Sequence, residues 1–270
     1  MQCHKSMKKK KIWISGGFGF VGSNLVEALQ DDYELTVYDG DVTQKIGIKN
    51  NFDIIYHLAA NTDTTFPDNV EMYRNNILGF LEVLRFALQN KSKLIYASSG
   101  AVYGNNGLPL NIYGDSKRII DEIAEEFYTK LNIIGLRFFN VYGTGELGKE
   151  KMASMITQWK EQVLDEKKPI IFKGEFKRDF VYIKDVIKAL KQAMRLKSGI
   201  YDVGTGKATD FREVLEIVIK TLNSKVKPKF VKNPYLGKYQ TFTKANLDWG
   251  FEPDYNIKSG IKDYFETCIQ

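Results

Sequence analysis

Between the apolar tetrad Lys11-Ile12-Trp13-Ile14 and an amphipathic stretch from Phe20 to Gln30 lies Ser15-Gly16-Gly17-Phe18-Gly19-Phe20-Val21-Gly22. No other segment limits the fold as sharply. A buried strand that turns through glycines into a helix leaves the unpaired N–H groups of the helix's positive end facing the turn, and the missing side chains let a pyrophosphate reach the backbone. Gly16, Gly17, Phe18, Gly19, Phe20, Val21 and Gly22 are therefore candidate dinucleotide contacts. A second apolar strand, Tyr33 to Tyr38, delivers Asp39 at about the spacing at which an acid meets a ribose.

The alternation continues downstream. Phe52 to Leu58 and Leu94 to Ser99 read as buried strands, followed by helices over about 70–89 and 113–131, and Ile133 to Phe138 is the next strand. Strands and helices at this spacing imply right-handed crossovers. The expected fold class is α/β, a Rossmann-type doubly wound parallel sheet with a smaller C-terminal substrate-binding lobe. After Asn140 the pattern changes, with a helix expected from Met152 to Asp165, short strands around 170–173 and 180–183, a helix from Asp185 to Arg195, a strand over 199–204 and two helices in the tail. This assigns 11–144 plus 178–204 to the dinucleotide-binding domain and 145–177 plus 205–270 to the substrate lobe, packed over the sheet's carboxyl edge where such folds bind ligands.

With 270 residues, 43% of them hydrophobic, the chain can bury a substantial core. Its 39 Lys and Arg against 33 Asp and Glu give +6, spread along the length apart from a lysine run at 8–11. That spread favours an anionic small molecule over nucleic acid. Cys3 and Cys268 supply no disulfide framework, which fits a reducing cytoplasm. The basic start and apolar Ile12 to Val21 serve better as strand and phosphate loop than as a leader, and no stretch has the roughly 18 apolar residues of a membrane span. His4 and His57 lack ligand-spaced companions, so no metal site is expected and His57 reads as the end of a buried strand.

Tyr113 and Lys117 stand four apart on one helix face, where the ammonium can favour the phenolate and make Tyr113 a general base. Ser99 closes a strand at the same sheet edge and can hydrogen-bond a substrate oxygen. On its own such a pair also decorates exposed helices. Joined to the glycine loop it points to proton transfer beside a nicotinamide.

Several runs carry a resemblance: Gly16 to Gly22, His57-Leu58-Ala59-Ala60, Tyr96-Ala97-Ser98-Ser99, the Tyr113/Lys117 pair and Arg137-Phe138-Phe139-Asn140-Val141-Tyr142-Gly143. Across almost its whole length the chain resembles the extended short-chain dehydrogenase/reductases that modify nucleotide sugars. Lys149 with Met152-Ala153-Ser154, Phe176 to Tyr182, Gly199 to Gly206 and Gly237 to Thr243 are similar to the ADP-L-glycero-D-manno-heptose 6-epimerases among them. The resemblance implies transient oxidation of a carbinol to a ketone and re-reduction on the other face, with a nucleotide sugar as substrate. It implies cofactor contacts from Asp41, Val42, Leu58, Ala59, Ala60 and Asn75, with Tyr113 and Lys117, and substrate contacts from Ser99, Asn140, Phe172, Arg178 and Tyr239. Lys149 would be a second base opposite Tyr113. Arg178 suits a nucleotide phosphate through its planar fork, with Phe172 and Tyr239 flanking the nucleotide.

The chain also departs from that pattern. The stretch from Ser99 to Tyr113 is short, which opens the wall beside the sugar. Asp41 follows Asp39 almost at once, omitting the loop on which the 6-epimerases carry a cation for the 2'-phosphate; Asp39 thus favours NAD, while the resemblance and nearby Lys45 favour NADP. Lys151 and Lys173 replace non-basic residues, and Gln158 replaces a His. Gly100-Ala101 stands where a 4,6-dehydratase needs an acidic pair, and no Cys lies between residues 4 and 267 for a fucose-synthase type of chemistry. A 4-epimerase or 4-dehydrogenase of nucleotide sugars stays open, as does a cofactor-binding regulatory protein without catalysis. A homo-oligomer is expected from helices that flank such sheets.

Overall fold

In the computed structural model, which describes residues 9–48, 51–146, 152–234, 237 and 239–267, the amino-terminal half runs β1 (Lys11–Ser15), α1 (Phe20–Leu29), β2 (Glu34–Tyr38), β3 (Ile54–His57), α2 (Asn69–Tyr73), α3 (Gly79–Asn90), β4 (Lys93–Ser99), α4 (Ile112–Glu125), β5 (Ile133–Phe138) and β6 (Asn140–Tyr142). There follow α5 (Met155–Leu164), β7 (Ile170–Phe172), β8 (Lys177–Tyr182), α6 (Ile183–Ala193), β9 (Gly199–Val203), β10 (Ala208–Asp210), α7 (Phe211–Thr221), β11 (Lys229–Val231) and α8 (Ile257–Thr267). Six parallel strands form the main sheet in the order β2-β1-β3-β4-β5-β9. This is the doubly wound parallel sheet expected.

Alternation along the strands builds a core on each face. Ile12, Ile14, Tyr56, Ile95 and Leu136 point to the face covered by α1 and α6, through Leu25, Leu29, Val186 and Leu190. Trp13, Ile55, Leu94 and Tyr96 point to the opposite face, covered by α3 and α4 through Val83, Leu84, Ile120 and Ala124. Because β2 and β3 flank β1 on opposite sides, the chain reverses its winding at β1, and a crevice opens there at the strands' carboxyl ends.

The elements differ from expectation at four places. The helix expected over 70–89 is interrupted by a π-helical turn, Arg74–Leu78, between α2 and α3. The helix expected to reach 131 ends at Glu125, where a run of turns, with Lys130 N and Leu131 N both bonded to Phe127 O, brings Leu131 into the core. The helix expected from Met152 starts at Met155, because the Ser154 hydroxyl caps Thr157 N. Finally, β8 joins neither the main sheet nor a lone hairpin: it lies between β6, parallel, and β10, antiparallel, while β7 pairs with β11. Three-residue strands paired at long range leave no periodic signature in a sequence.

No crossover helix separates β2 from β3 among the described residues. Instead Ile46 and Phe52 plug into the core beside Trp13, and Ile46 N donates to Glu82 Oε1 at 2.6 Å. Among the described residues no helix is long and apolar enough to cross a membrane.

Candidate active site

At the amino end of α1 each glycine has a steric reason. Gly16 has φ +71°, and a Cβ there would lie 2.5 Å from Ala59 N; a Cβ on Gly22 would lie 2.0 Å from Gly16 O, and one on Gly17 2.5 Å from a Val37 methyl. No side chain caps the helix at Gly19, so its first-turn amides keep their donors for an anion. Phe18 is exposed, Val21 half-buried, and Phe20 turns into the core. Beside this cradle a cavity of about 230 Å³ is lined by Gly40, Asp41, Val42, Thr43, Ala59, Ala60, Asn61 and Asn75. Leu58 is half-buried just before it, and Asp39 stands exposed at the end of β2. Asp41 accepts from Thr43 Oγ1 and Thr43 N at 2.7 and 2.8 Å, and these bonds hold its carboxyl below the usual range. A backbone that only glycines allow, with uncapped amides next to a polar recess, fits the phosphates and adenosine of a dinucleotide.

The π-helical turn changes which side chains face this recess. Asn75 lines the cavity, whereas the next residue, Asn76, is 1% exposed. Its Oδ1 accepts from Asn61 N at 2.8 Å, and its Nδ2 donates to Asn61 O and to Ser116 Oγ, both at 3.0 Å. Asn76 thus ties the loop after β3 to the helix carrying Tyr113 and Lys117. Neither Asn61 nor Asn76 stands out in the sequence; two adjacent inward asparagines are invisible to a regular helical period.

Across the crevice, Ser99 ends β4 and Tyr113 lies in the first turn of α4, whose start is fixed by Asn111 Oδ1 accepting from Gly114 N at 2.9 Å. Burial raises the Tyr113 phenol above its ordinary pKa, and a hydrogen bond with the Ser99 hydroxyl pulls it back. Lys117 is 4% exposed and donates to Ala97 O at 2.8 Å. Burial brings its pKa down to about 8, against the opposing charge of Asp121. The expected lowering of the phenol by Lys117 is not present: the ammonium is directed at a backbone carbonyl, and the influences on Tyr113 are burial and Ser99. His57, 5% exposed, ends β3 with Nδ1 2.8 Å from Ser15 Oγ, and burial foremost, then the charge of Lys117, takes its pKa down to about 3. It is a neutral core residue. The described residues contain no group of three His, Cys, Asp or Glu placed to hold a metal.

On the far side, Asn140 begins β6, half-buried, and Phe172 ends β7, also half-buried. Arg178, in β8, donates from Nη2 to Gln240 O, while its buried Nε has no partner among the described residues. Burial takes its pKa down to about 10, with Tyr239 opposing. The Tyr239 hydroxyl is 2.7 Å from Thr64 Oγ1. Gln158 donates to Ala153 O, and the Lys173 side chain is exposed. Lys149 and Lys151 lie outside the described residues.

Residues 12–204 match the NAD dependent epimerase/dehydratase family. The chain is 33% identical to the ADP-L-glycero-D-manno-heptose-6-epimerase of Helicobacter pylori, with 98% of each chain covered and a TM-score of 0.88. It is 25% identical to a UDP-N-acetylglucosamine 4-epimerase from Methanobrevibacter ruminantium, solved with UDP-N-acetylmuramic acid, over 97% of this chain and 99% of that one at a TM-score of 0.90. Identity is also 25% to the UDP-glucose 4-epimerase of Thermus thermophilus, solved with NAD, over 95% and 99% of the two chains at a TM-score of 0.80. The extended short-chain dehydrogenase/reductase fold is common to them and to this chain. By sequence and by fold alike, the chain belongs to the NAD dependent epimerase/dehydratase family.

Proposed function

We propose that this enzyme epimerises a nucleotide-activated heptose, in the manner of an ADP-glycero-manno-heptose 6-epimerase, through a transient ketone. The observation that carries the reading is the 33% identity over 98% of both chains to the Helicobacter pylori enzyme, joined to Ser99 at the end of β4 and Tyr113 in the first turn of α4. A bound nicotinamide dinucleotide supplies the hydride acceptor and donor. The cradle residues Gly16 to Gly22 would hold its phosphates, and Val42, Ala59, Ala60 and Asn75 its adenosine.

Tyr113 takes the proton of the substrate hydroxyl as the carbinol is oxidised, and Ser99 holds the same oxygen in line. A positive charge beside it, as an oxidised nicotinamide would supply, would lower the phenol's raised pKa. Burial brings the pKa of Lys117 to about 8, so small changes around it move its charge. Lys149 serves as the base on the other face of the carbon, and Asn140 contacts the sugar. Arg178 binds the nucleotide phosphates through its guanidinium, whose Nε has no partner among the described residues, with Phe172 and Tyr239 flanking the nucleotide. Segments 145–177 and 205–270 act as the substrate lobe.

For the cofactor, the exposed Asp39 with Asp41 two residues on favours the ribose hydroxyls of NAD and repels a 2'-phosphate. The test is to titrate NAD and NADP, then supply ADP-heptose, UDP-glucose and UDP-N-acetylglucosamine and identify products. Tyr113→Phe is expected to abolish turnover with cofactor affinity within about threefold of the parent, and Lys149→Ala to slow one epimer direction more than the other. Equal rates in both directions would remove Lys149 from the mechanism. A UDP-sugar 4-epimerase is the second reading, favoured by the short 99–113 stretch and the TM-score of 0.90 to the Methanobrevibacter enzyme; turnover of a UDP-sugar but not of ADP-heptose would establish it. A parent indistinguishable from Tyr113→Phe would instead favour a regulatory protein.

A further inference from the structure

Gln240 sits within the Gly237 to Thr243 run without a role of its own in the sequence, yet it is 8% exposed and links three parts of the site. Its backbone carbonyl accepts from Arg178 Nη2. Its side-chain Nε2 donates to Gly100 O at 3.2 Å and to Gly104 O at 3.1 Å, the two ends of the single turn that leaves Ser99. Within that turn Ala101 N donates to Ser99 Oγ at 3.1 Å, which restricts where the hydroxyl points. The Ala101 carbonyl presses on the start of α4: a Cβ on Gly114 would come within 2.7 Å of Ala101 O, and Gly114 adjoins Tyr113. A shift of the turn therefore moves Ser99 and Tyr113 relative to each other.

We infer that Gln240 is a positioning residue, whose amide holds the turn at 100–104 so that the Ser99 hydroxyl stays aimed at the Tyr113 phenol, and that it does so from the segment engaged by the phosphate-binding Arg178. The inference rests on reading Arg178 as the nucleotide-phosphate ligand. A purely structural amide would only satisfy two carbonyls, and its loss would lower stability without touching Tyr113. The turn has a separate anchor at its far end, where Tyr103 donates to Asp202 Oδ1 at 2.7 Å, so losing the amide loosens the turn without releasing it.

Gln240→Met keeps the side-chain length and the backbone carbonyl that Arg178 uses but removes both donors. In Gln240→Asn the amide is retained one methylene short of the turn, and the same direction of change is expected, so it carries the test if the Met variant does not fold. With NAD present, the Tyr113 titration is followed by NMR of ¹³Cζ-labelled tyrosine, assigned with Tyr113→Phe, and binding of ADP and UDP is measured by calorimetry. The expected result is a Tyr113 titration moved upward by about half a pH unit or more, through loss of the Ser99 bond that favours the phenolate, with both nucleotide affinities within about threefold of the parent. An unmoved titration overturns the inference, as does a tenfold or greater loss of nucleotide affinity in both variants, which would make Gln240 part of the phosphate site. Arg178→Met separates the two readings: if ADP and UDP bind it as tightly as the parent, the phosphate reading fails while the effect of Gln240 on Tyr113 still stands or falls by its own titration.

Discussion

Replacing Lys117 with Met is expected to stabilise the folded protein at neutral pH while removing a group proposed for catalysis. The ammonium is 4% exposed, has no carboxylate within ion-pair distance among the described residues, and its pKa falls from 10.5 to about 8 with burial as the chief cause. A fall of that size means that the folded state disfavours the charged form by about 3 kcal/mol relative to the unfolded chain. The sign follows from proton counts. Between pH 8 and 10.5 the unfolded chain binds more protons at this site than the folded one, so stability rises with pH through that window and the penalty is fully present below it. Nearly all of it acts at about pH 7, and less than half is left at about pH 9.5. Methionine fills similar space but leaves Ala97 O without its donor, a loss of about 1 kcal/mol. The variant should therefore be more stable than the parent by about 2 kcal/mol near pH 7, with most of the difference gone near pH 9.5. Urea unfolding followed by tryptophan fluorescence across that range measures it. A difference that does not change with pH would show that the ammonium is not desolvated as the structure has it.

Three further substitutions test the scaffold around the site. Gly22→Ala puts a methyl 2.0 Å from Gly16 O and 2.7 Å from Gly17 Cα, both backbone, so the cradle must shift; NAD affinity should fall by about 100-fold, equivalent to losing one or two charge-assisted hydrogen bonds. Gly47→Ala, with nothing among the described residues within 4 Å of the new methyl, is the control and should bind NAD as the parent does. Asp179, 0% exposed, accepts from Thr205 N, Thr205 Oγ1, Gly206 N and Ala245 N. Asp179→Ala leaves these donors without an acceptor and is expected to lower stability by about 3–5 kcal/mol, read as a lower urea midpoint.

What the sequence discloses and what it conceals divide along physical lines. The main sheet is legible because each strand is local: Ile12, Trp13 and Ile14 send alternate side chains to two cores, and the glycines at 16, 17, 19 and 22 signal a backbone constraint within one turn. The site's less visible parts are those that need distant partners. Gln240 acquires meaning only when β8 brings Arg178 under it and the turn at 100–104 lies within reach. Asn76 is unremarkable until the π-helical turn, at odds with the regular period over 70–89, rotates it inward.

Lys117 shows a subtler limit. The spacing puts it on the same side of the helix as Tyr113, but burial and the direction of the ammonium, which spacing does not carry, decide whether it acts on the phenol. In water a nearby ammonium lowers a phenol's pKa; in this crevice both groups are desolvated, each drifts toward its neutral form, and the ammonium settles on Ala97 O. A positive charge arriving beside them would push both toward deprotonation, the phenol to become a base and the lysine to shed its proton. A cationic nicotinamide, bound as proposed, would therefore change the protonation of Tyr113 and the charge at Lys117 together.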